Sequence, residues 1–484
     1  MDVRNLLKHS DLIFLSVLSF FTRFWRLSYP PNVVFDETYF GLFATKYFSH
    51  QYYFDIHPPL GKLILALSGF LNGIRPGFDF KLGDAYGDFH FLALRALPAF
   101  LGSCLVLIIY LLVKEMGFSR RAAFLSAFLL LFDNALLVQS RFILLDVILL
   151  FFIFLPFYLF LLAKRFSPLS FKWYFLNILT GLCLGAAISI KWTGFGILGA
   201  VWFIGVFKDN IFSSFKKENL IKIGLLFIAP FLIYFSIFAL HFYLLSSVCT
   251  KDCGAVLGRG SIEESDVAFY NTPPTGNLIV KFLRTNGTML ASNISFRRPF
   301  YAQSDWFSWP FMIRPIPYFT ETQADNISRI YFFGNPFVWW LGMIGVLGYF
   351  YLMARNYLSK FKFKLPQSFY SPGCEFLILG YLVYLIPFAS IQRFMLMYHY
   401  LPALVFSVII FSVFFEGLLK MIFKFGADDK FLFPNKKANL IFFSILFLVL
   451  ASFLFFSPLT YGFPLNNNEF KARMWFDIWN FNLP

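Results

Sequence analysis

Charge is scarce in this chain of 484 residues: Asp, Glu, Lys and Arg make up 14% of it. A soluble domain carries about 25%, so a water-facing surface of the usual kind is excluded. The five cysteines are too few for a disulfide framework, and Cys104, Cys183 and Cys374 fall in or near apolar segments as small hydrophobes. The sequence has no HExxH, Walker loop, GxSxG or CxxC. A zinc protease, an ATP-driven pump and a serine hydrolase therefore have no support from motifs. No cofactor and no metal is expected. Met1 to His9 is too short and too polar for a cleaved leader, so the first apolar segment is expected to be retained.

Apolar residues are abundant instead. The chain is 58% hydrophobic and 22% aromatic, with 73 phenylalanines and a mean hydropathy of +0.67. The phenylalanines lie in long runs rather than alternating, which points to membrane helices and not to a barrel. Eleven spans are read: 9–27, 90–113, 120–138, 143–163, 172–190, 193–207, 220–245, 335–354, 374–390, 394–420 and 437–457. Basic residues collect in every second loop, among them Lys114, Arg120, Arg121, Lys164, Arg165, Lys208, Lys222 and Lys424. The positive-inside rule then puts the N-terminus in the cytoplasm and the C-terminal tail outside. It also accounts for the net charge of +15 without nucleic acid, since no basic stripe with aromatic platforms lies outside the membrane. The organisation is a membrane region 1–245, an external loop domain 246–334 and a membrane region with external tail 335–484.

The other long external segment, 28–89, reads as more than loop. Asp36 to His50 has an amphipathic pattern. Pro58-Pro59 starts an apolar helix, Leu60 to Leu71, too short to span and suited to an interfacial or re-entrant position. Segment 246–334 carries the sequons at Asn286, Asn293 and Asn326, which chance in an Asn-rich loop also explains. Cys249 and Cys253 can be oxidised on an outer face; they lack the second ligand pair of a zinc site.

Asp36 and Glu37 stand side by side after the first span. A carboxylate there can be a base, hold a cation or cap a helix, and capping is the plainer reading for Asp36. Its context is a set of polar residues expected near one leaflet: Arg23, Arg95, Arg141, Asp146, Lys191, Arg393 and His399. Snorkelling explains each singly; together they suggest a cavity binding an anion, with a lipid phosphate the natural one at that depth. Asp55 and His57 lie in the Asp-Ile-His-Pro-Pro run as further candidates, His57 being either a structural hydrogen-bonder or a substrate contact.

VVFDETYFGLFATKYFSHQYYFDIHPPLGKL resembles the first external loop of the protein O-mannosyltransferases. The resemblance continues in SRFILLD (140–146), SIKWTG (189–194), HF at 241–242 before a long external loop, and RFMLMYHYLPAL (393–404). It implies a polytopic, all-α glycosyltransferase of the GT-C type that moves mannose from a polyprenyl-phosphate carrier to Ser or Thr hydroxyls of exported proteins. The export translocon is the neighbour from which such acceptors would emerge. The resemblance implies Asp36 as general base, Glu37 beside it, and Arg23 and Arg95 as active-site cations; location alone adds Arg141, Lys191, Arg393 and His399 for donor phosphate or sugar. The reaction is expected to invert the anomeric centre without a metal. Eukaryotic members carry a β-trefoil in the large loop, and the residues of 246–334 are too few for one. This favours a prokaryotic plasma membrane, with the endoplasmic reticulum as the alternative. Two other readings stay open: a transferase of another sugar or onto a lipid, as in the aminoarabinose transferases, and a transporter.

Overall fold

The computed structural model describes residues 10–249 apart from 210 and 214, then 271–295, 301–323, 326–358, 372–391, 393–426, 429–479 and 481. The first half contains α1 (Ser10–Phe24), α2 (Glu37–Ser49), α3 (Leu60–Leu71), α4 (Leu92–Glu115), α5 (Arg120–Leu131), α6 (Asn134–Arg141), α7 (Asp146–Ala163) and α8 (Phe171–Ile190). There follow α9 (Phe195–Phe203), α10 (Lys217–Leu244, with a π turn at Gly224–Ile228) and α11 (Leu278–Ser295). A hairpin, β1 (Ile316–Gln323) and β2 (Asn326–Phe332), precedes α12 (Pro336–Leu358), α13 (Pro372–Val383), α14 (Leu401–Phe423) and α15 (Lys436–Phe456). The tail adds β3 (Pro464–Leu465), which pairs antiparallel with β2. The small sheet is the departure from an all-helical expectation.

All eleven apolar stretches are helical. Eight described helices are long and apolar enough to cross a membrane. One expected span, 120–138, is instead the bent pair α5 and α6, which meet at 60°. The bend is built by Asp133. Its backbone is extended, and its Oδ1 accepts the Leu136 amide at 2.8 Å, starting a new helix. Its Oδ2 accepts the Asn335 amide and the Trp339 indole, tying the bend to the start of α12. Of the remaining two stretches, α1 is described over 15 residues, and α9 continues only into a π turn at Ile204–Lys208.

Burial follows the hydropathy of a membrane bundle. α14 is apolar on all sides and lies at the centre. α15 turns Leu440, Phe443, Phe447 and Leu454 outward, as a lipid-facing helix does. The basic loops meet acidic partners at one end of the bundle: Lys114 with Asp429, Arg120 with Asp11, Arg121 with Glu416 and Lys164 with Asp209.

Near Asp36 lie the two short helices of segment 28–89. α3 starts after Pro59 as expected and buries Gly61, Lys62 and Leu65 while Phe70 and Leu71 stay exposed. α2 is different from its amphipathic expectation: residues 40–47 are all buried, so neighbours cover every side of it. Cys249 is disulfide-bonded, whereas Cys253 lies outside the described residues. Asn286 and Asn293 sit on α11, where their amides donate to the carbonyls of Phe282 and Met289 within the helix.

Candidate active site

The turn before α2 sets the site. Phe35 holds a left-handed backbone, φ +43°, which costs a bulky side chain energy and persists only where surroundings impose it. Its ring is clamped against Tyr318 of β1, 4.2 Å between centroids and nearly parallel. Asp36 follows. Its carbonyl accepts the amides of Tyr39 and Phe40, but its carboxylate makes no capping bond. The capping role therefore does not explain that side chain. It is partly exposed and faces Lys191, Asp146 and Asp55. Burial pushes the carboxyl up to about 7; Lys191 opposes the shift, and Asp146 and Asp55 add to it.

Glu37 has the opposite environment. It is fully buried and accepts Arg95 Nε on Oε1 at 2.7 Å and Arg95 Nη2 on Oε2 at 2.8 Å. It also accepts the amides of Val34 and Ile143 and the Tyr86 hydroxyl. Arg95 spends its other N–H groups on the carbonyls of Leu27, Pro30 and Asn32, and its guanidinium lies over the rings of Phe91 and Phe142. Expected as a phosphate-binding cation, Arg95 has its donors committed within the protein.

Arg141 is committed similarly. Its Nη1 and Nη2 reach the carbonyls of Arg23, Trp25 and Arg26, closing the end of α1 from across Tyr461. Arg23 is fully buried with Thr22, Tyr461 and Asp133 around it. Arg95 and Arg141 thus form supports behind the turn, whereas Arg23 donates to Thr22 and leaves Nε and Nη2 without a partner among the described residues.

Lys191 does face Asp36, and Arg393 and His399 stand within reach of Lys191 and Tyr398. Lys191 ends α8 in extended backbone and binds Asp146, the first residue of α7, at 2.8 Å. Its Nζ also stands 5.5 Å from the Tyr398 ring centre. Arg393 Nη2 is 3.5 Å from His399 Nε2. His399 Nδ1 lies 2.8 Å from the Leu396 carbonyl and 3.3 Å from the Leu396 amide, so the ring is anchored on that backbone. Asp55 pairs with Lys62, whose Nζ also donates to the His57 carbonyl at 2.7 Å. This fixes the Asp-Ile-His-Pro-Pro turn. Burial holds the His57 ring well below the usual imidazole range, aided by the charges of Lys191, Lys62, Arg393 and His399; His57 is a neutral member of the same chamber.

Gly61 brings α3 against this chamber. A Cβ there would stand 2.9 Å from Leu145 and 3.3 Å from Ile190, the residues before Asp146 and Lys191. Beside Lys191 opens an apolar groove of about 530 Å³, lined by Trp192, Phe195, Phe231, Tyr234 and Phe282. Lys62, Tyr318 and Tyr398 are site residues that sequence reasoning missed. A lysine in the apolar stretch 60–71 was a usable signal; Tyr318 had none.

Two family comparisons match most of this chain. Residues 13–246 match the family described as dolichyl-phosphate-mannose-protein mannosyltransferase, and 278–479 match the C-terminal four-transmembrane region of protein-O-mannosyltransferase. The chain is similar to Protein O-mannosyl-transferase 2 of Danio rerio, 39% identical over 241 residues, which cover 48% of this chain and 32% of that protein. The match to the curated relatives spans about a third of their length. The fold is shared with the Saccharomyces cerevisiae protein O-mannosyltransferase Pmt1-Pmt2 complex bound to the sugar donor: TM-score 0.82, 19% identity, covering 99% of this chain and 93% of that one. It is shared more loosely with ArnT from Cupriavidus metallidurans bound to undecaprenyl phosphate, at TM-score 0.53 and 13% identity, covering 94% of this chain and 77% of that one.

Proposed function

The chain belongs to the protein O-mannosyltransferase family, and from that premise we propose that it transfers mannose from a polyprenyl-phosphate carrier to Ser or Thr hydroxyls of exported polypeptides. The observation that carries this reading is the uncapped Asp36 carboxylate, held beside Lys191 while its neighbour Glu37 is saturated. Asp36 takes the proton of the acceptor hydroxyl. The oxygen attacks the anomeric carbon from the face opposite the phosphate, the carbon–phosphate-oxygen bond breaks, and the configuration inverts. Polyprenyl phosphate leaves with its negative charge, which Lys191 and Arg393 stabilise, His399 serving to hold Arg393. The apolar groove beside Lys191 suits the isoprenoid chain. Glu37 and Arg95 serve by fixing the turn.

The basic loops at the far end of the bundle support a cytoplasmic N-terminus and an external or luminal site. The short large loop favours a plasma membrane, while the fish and yeast origin of the curated relatives supports the endoplasmic reticulum alternative.

The test is transfer by the purified protein in liposomes, with radiolabelled polyprenyl-phosphate mannose and a Ser/Thr-rich peptide, with and without EDTA. Label on the peptide that persists in EDTA is the expected result. Label only with added divalent metal would replace the metal-free mechanism. Label on a lipid acceptor, or only with another donor sugar, would replace the function.

A further inference from the structure

Tyr318 is a buried phenol whose hydroxyl has no hydrogen-bond partner among the described residues. A buried hydroxyl left unpaired has lost its water without a replacement, so its position asks for a reason. Two observations bear on it. The first is the strand that carries it. In the β1–β2 ladder Pro317 faces Tyr331 and Phe319 faces Ile330, so the register skips Tyr318. It is the extra residue of a bulge, a device that re-aims a side chain and is common beside active sites. The second is its direction. The ring is held by Phe35, with Phe142 and Phe332 farther off, and the phenol lies within the fields of Asp36, Asp146 and Tyr398. Burial raises that phenol well above its usual range and the two carboxylates add to the shift, so the hydroxyl stays protonated and able to donate.

We propose that the Tyr318 hydroxyl contacts the sugar of the lipid-linked donor, donating a hydrogen bond to a sugar oxygen beside Asp36. The charges decide between sugar and phosphate. Asp36 and Asp146 flank Tyr318 and would repel a phosphate, whereas a polyol offers both donors for the carboxylates and acceptors for the phenol. The phosphate belongs toward Arg393, whose charge acts on Tyr398 beside the same two carboxylates. Tyr318 would thus be a specificity-determining residue of the transfer proposed above, on which this inference rests.

The experiment measures binding of polyprenyl phosphate and of polyprenyl-phosphate mannose to the detergent-solubilised full chain and to Tyr318→Phe. The variant keeps the ring and its stacking on Phe35 and deletes only the unpaired hydroxyl, so its unfolding temperature is expected at or above the parent's. The parent is expected to prefer the mannosylated lipid. Tyr318→Phe should lose about tenfold of that preference, with affinity for bare polyprenyl phosphate unchanged. A variant that keeps the full preference, or weakens both lipids equally, overturns the sugar contact. A parent preferring another lipid-linked sugar, with that preference lost in the variant, keeps the sugar contact and removes the mannose assignment. A parent that binds neither lipid overturns both.

Discussion

Asp36 and Glu37 are consecutive residues in opposite surroundings. Around Glu37 the protein has built a knot. Five donors converge on its two oxygens, and its partner Arg95 gathers the carbonyls of Leu27, Pro30 and Asn32. Around Asp36 it has built a chamber whose walls carry charge and whose central carboxylate is uncapped. The difference separates holding from reacting. A carboxylate with every lone pair engaged cannot accept a proton without breaking what it holds, while an uncapped one at a partly exposed position is open to a hydroxyl. The knot also explains how Phe35 keeps its left-handed backbone: Glu37 binds Val34 on one side and Ile143 on the other, so the turn cannot relax.

The sharpest way to break this division is to neutralise each carboxylate in turn. Asp36→Asn is expected to lower kcat by about 10²–10⁴, the usual worth of a general base, with the unfolding temperature unmoved. Turnover near the parent's would remove Asp36 from the chemistry. Glu37→Gln should act on stability instead. Breaking a buried ion pair from one side costs roughly 3–5 kcal/mol, read as a lower unfolding temperature in detergent. Arg95→Met should do the same, and the double variant should recover part of the loss because no charge is left alone. An Arg95→Met protein that melts normally but needs far more donor would move Arg95 from the knot into the chamber.

Much of this arrangement is legible in the sequence. The eleven helical stretches follow from hydropathy alone, and the Pro-Pro start of α3 is a local signal. The bend at Asp133 was hidden because one aspartate in an apolar run still leaves a run long enough to span. Its partners, Asn335 and Trp339, lie some two hundred positions away. The burial of α2 on all sides was hidden likewise, since Phe80 fills the space over Gly41 from outside the helix. The Asp-Glu pair and Lys191, Arg393 and His399 were visible as residue types in one leaflet. The sorting of arginines was not. Arg95 and Arg141 are claimed by backbone carbonyls, and a carbonyl leaves no mark in the sequence. Tyr318 reaches the site through a bulge, which pairing alone reveals.

Acidity sharpens the comparison from the chamber's side. With the Asp36 carboxyl at about 7, the base is protonated below that pH and ionised above it. Transfer should therefore rise through an acid limb centred near 7 in kcat/KM and level off beyond it. A rate flat from pH 5 to 8 would contradict the assignment.

The smallest effect is the most local. Lys191 pulls the Asp36 carboxyl down and Asp146 pushes it up, so changing either should slide the limb while leaving its shape. Lys191→Met removes a favourable charge, and the midpoint should move to higher pH. Asp146→Asn removes a repulsive one and frees Lys191 from its 2.8 Å partner, so the midpoint should move lower. A knot residue offers no such control: Tyr86→Phe deletes one of the five bonds on Glu37 and should cost about 1 kcal/mol of stability with the limb unmoved. If Tyr86→Phe shifted the limb as far as Lys191→Met, the knot and the chamber would be one electrostatic unit, and the division between holding and reacting would fail.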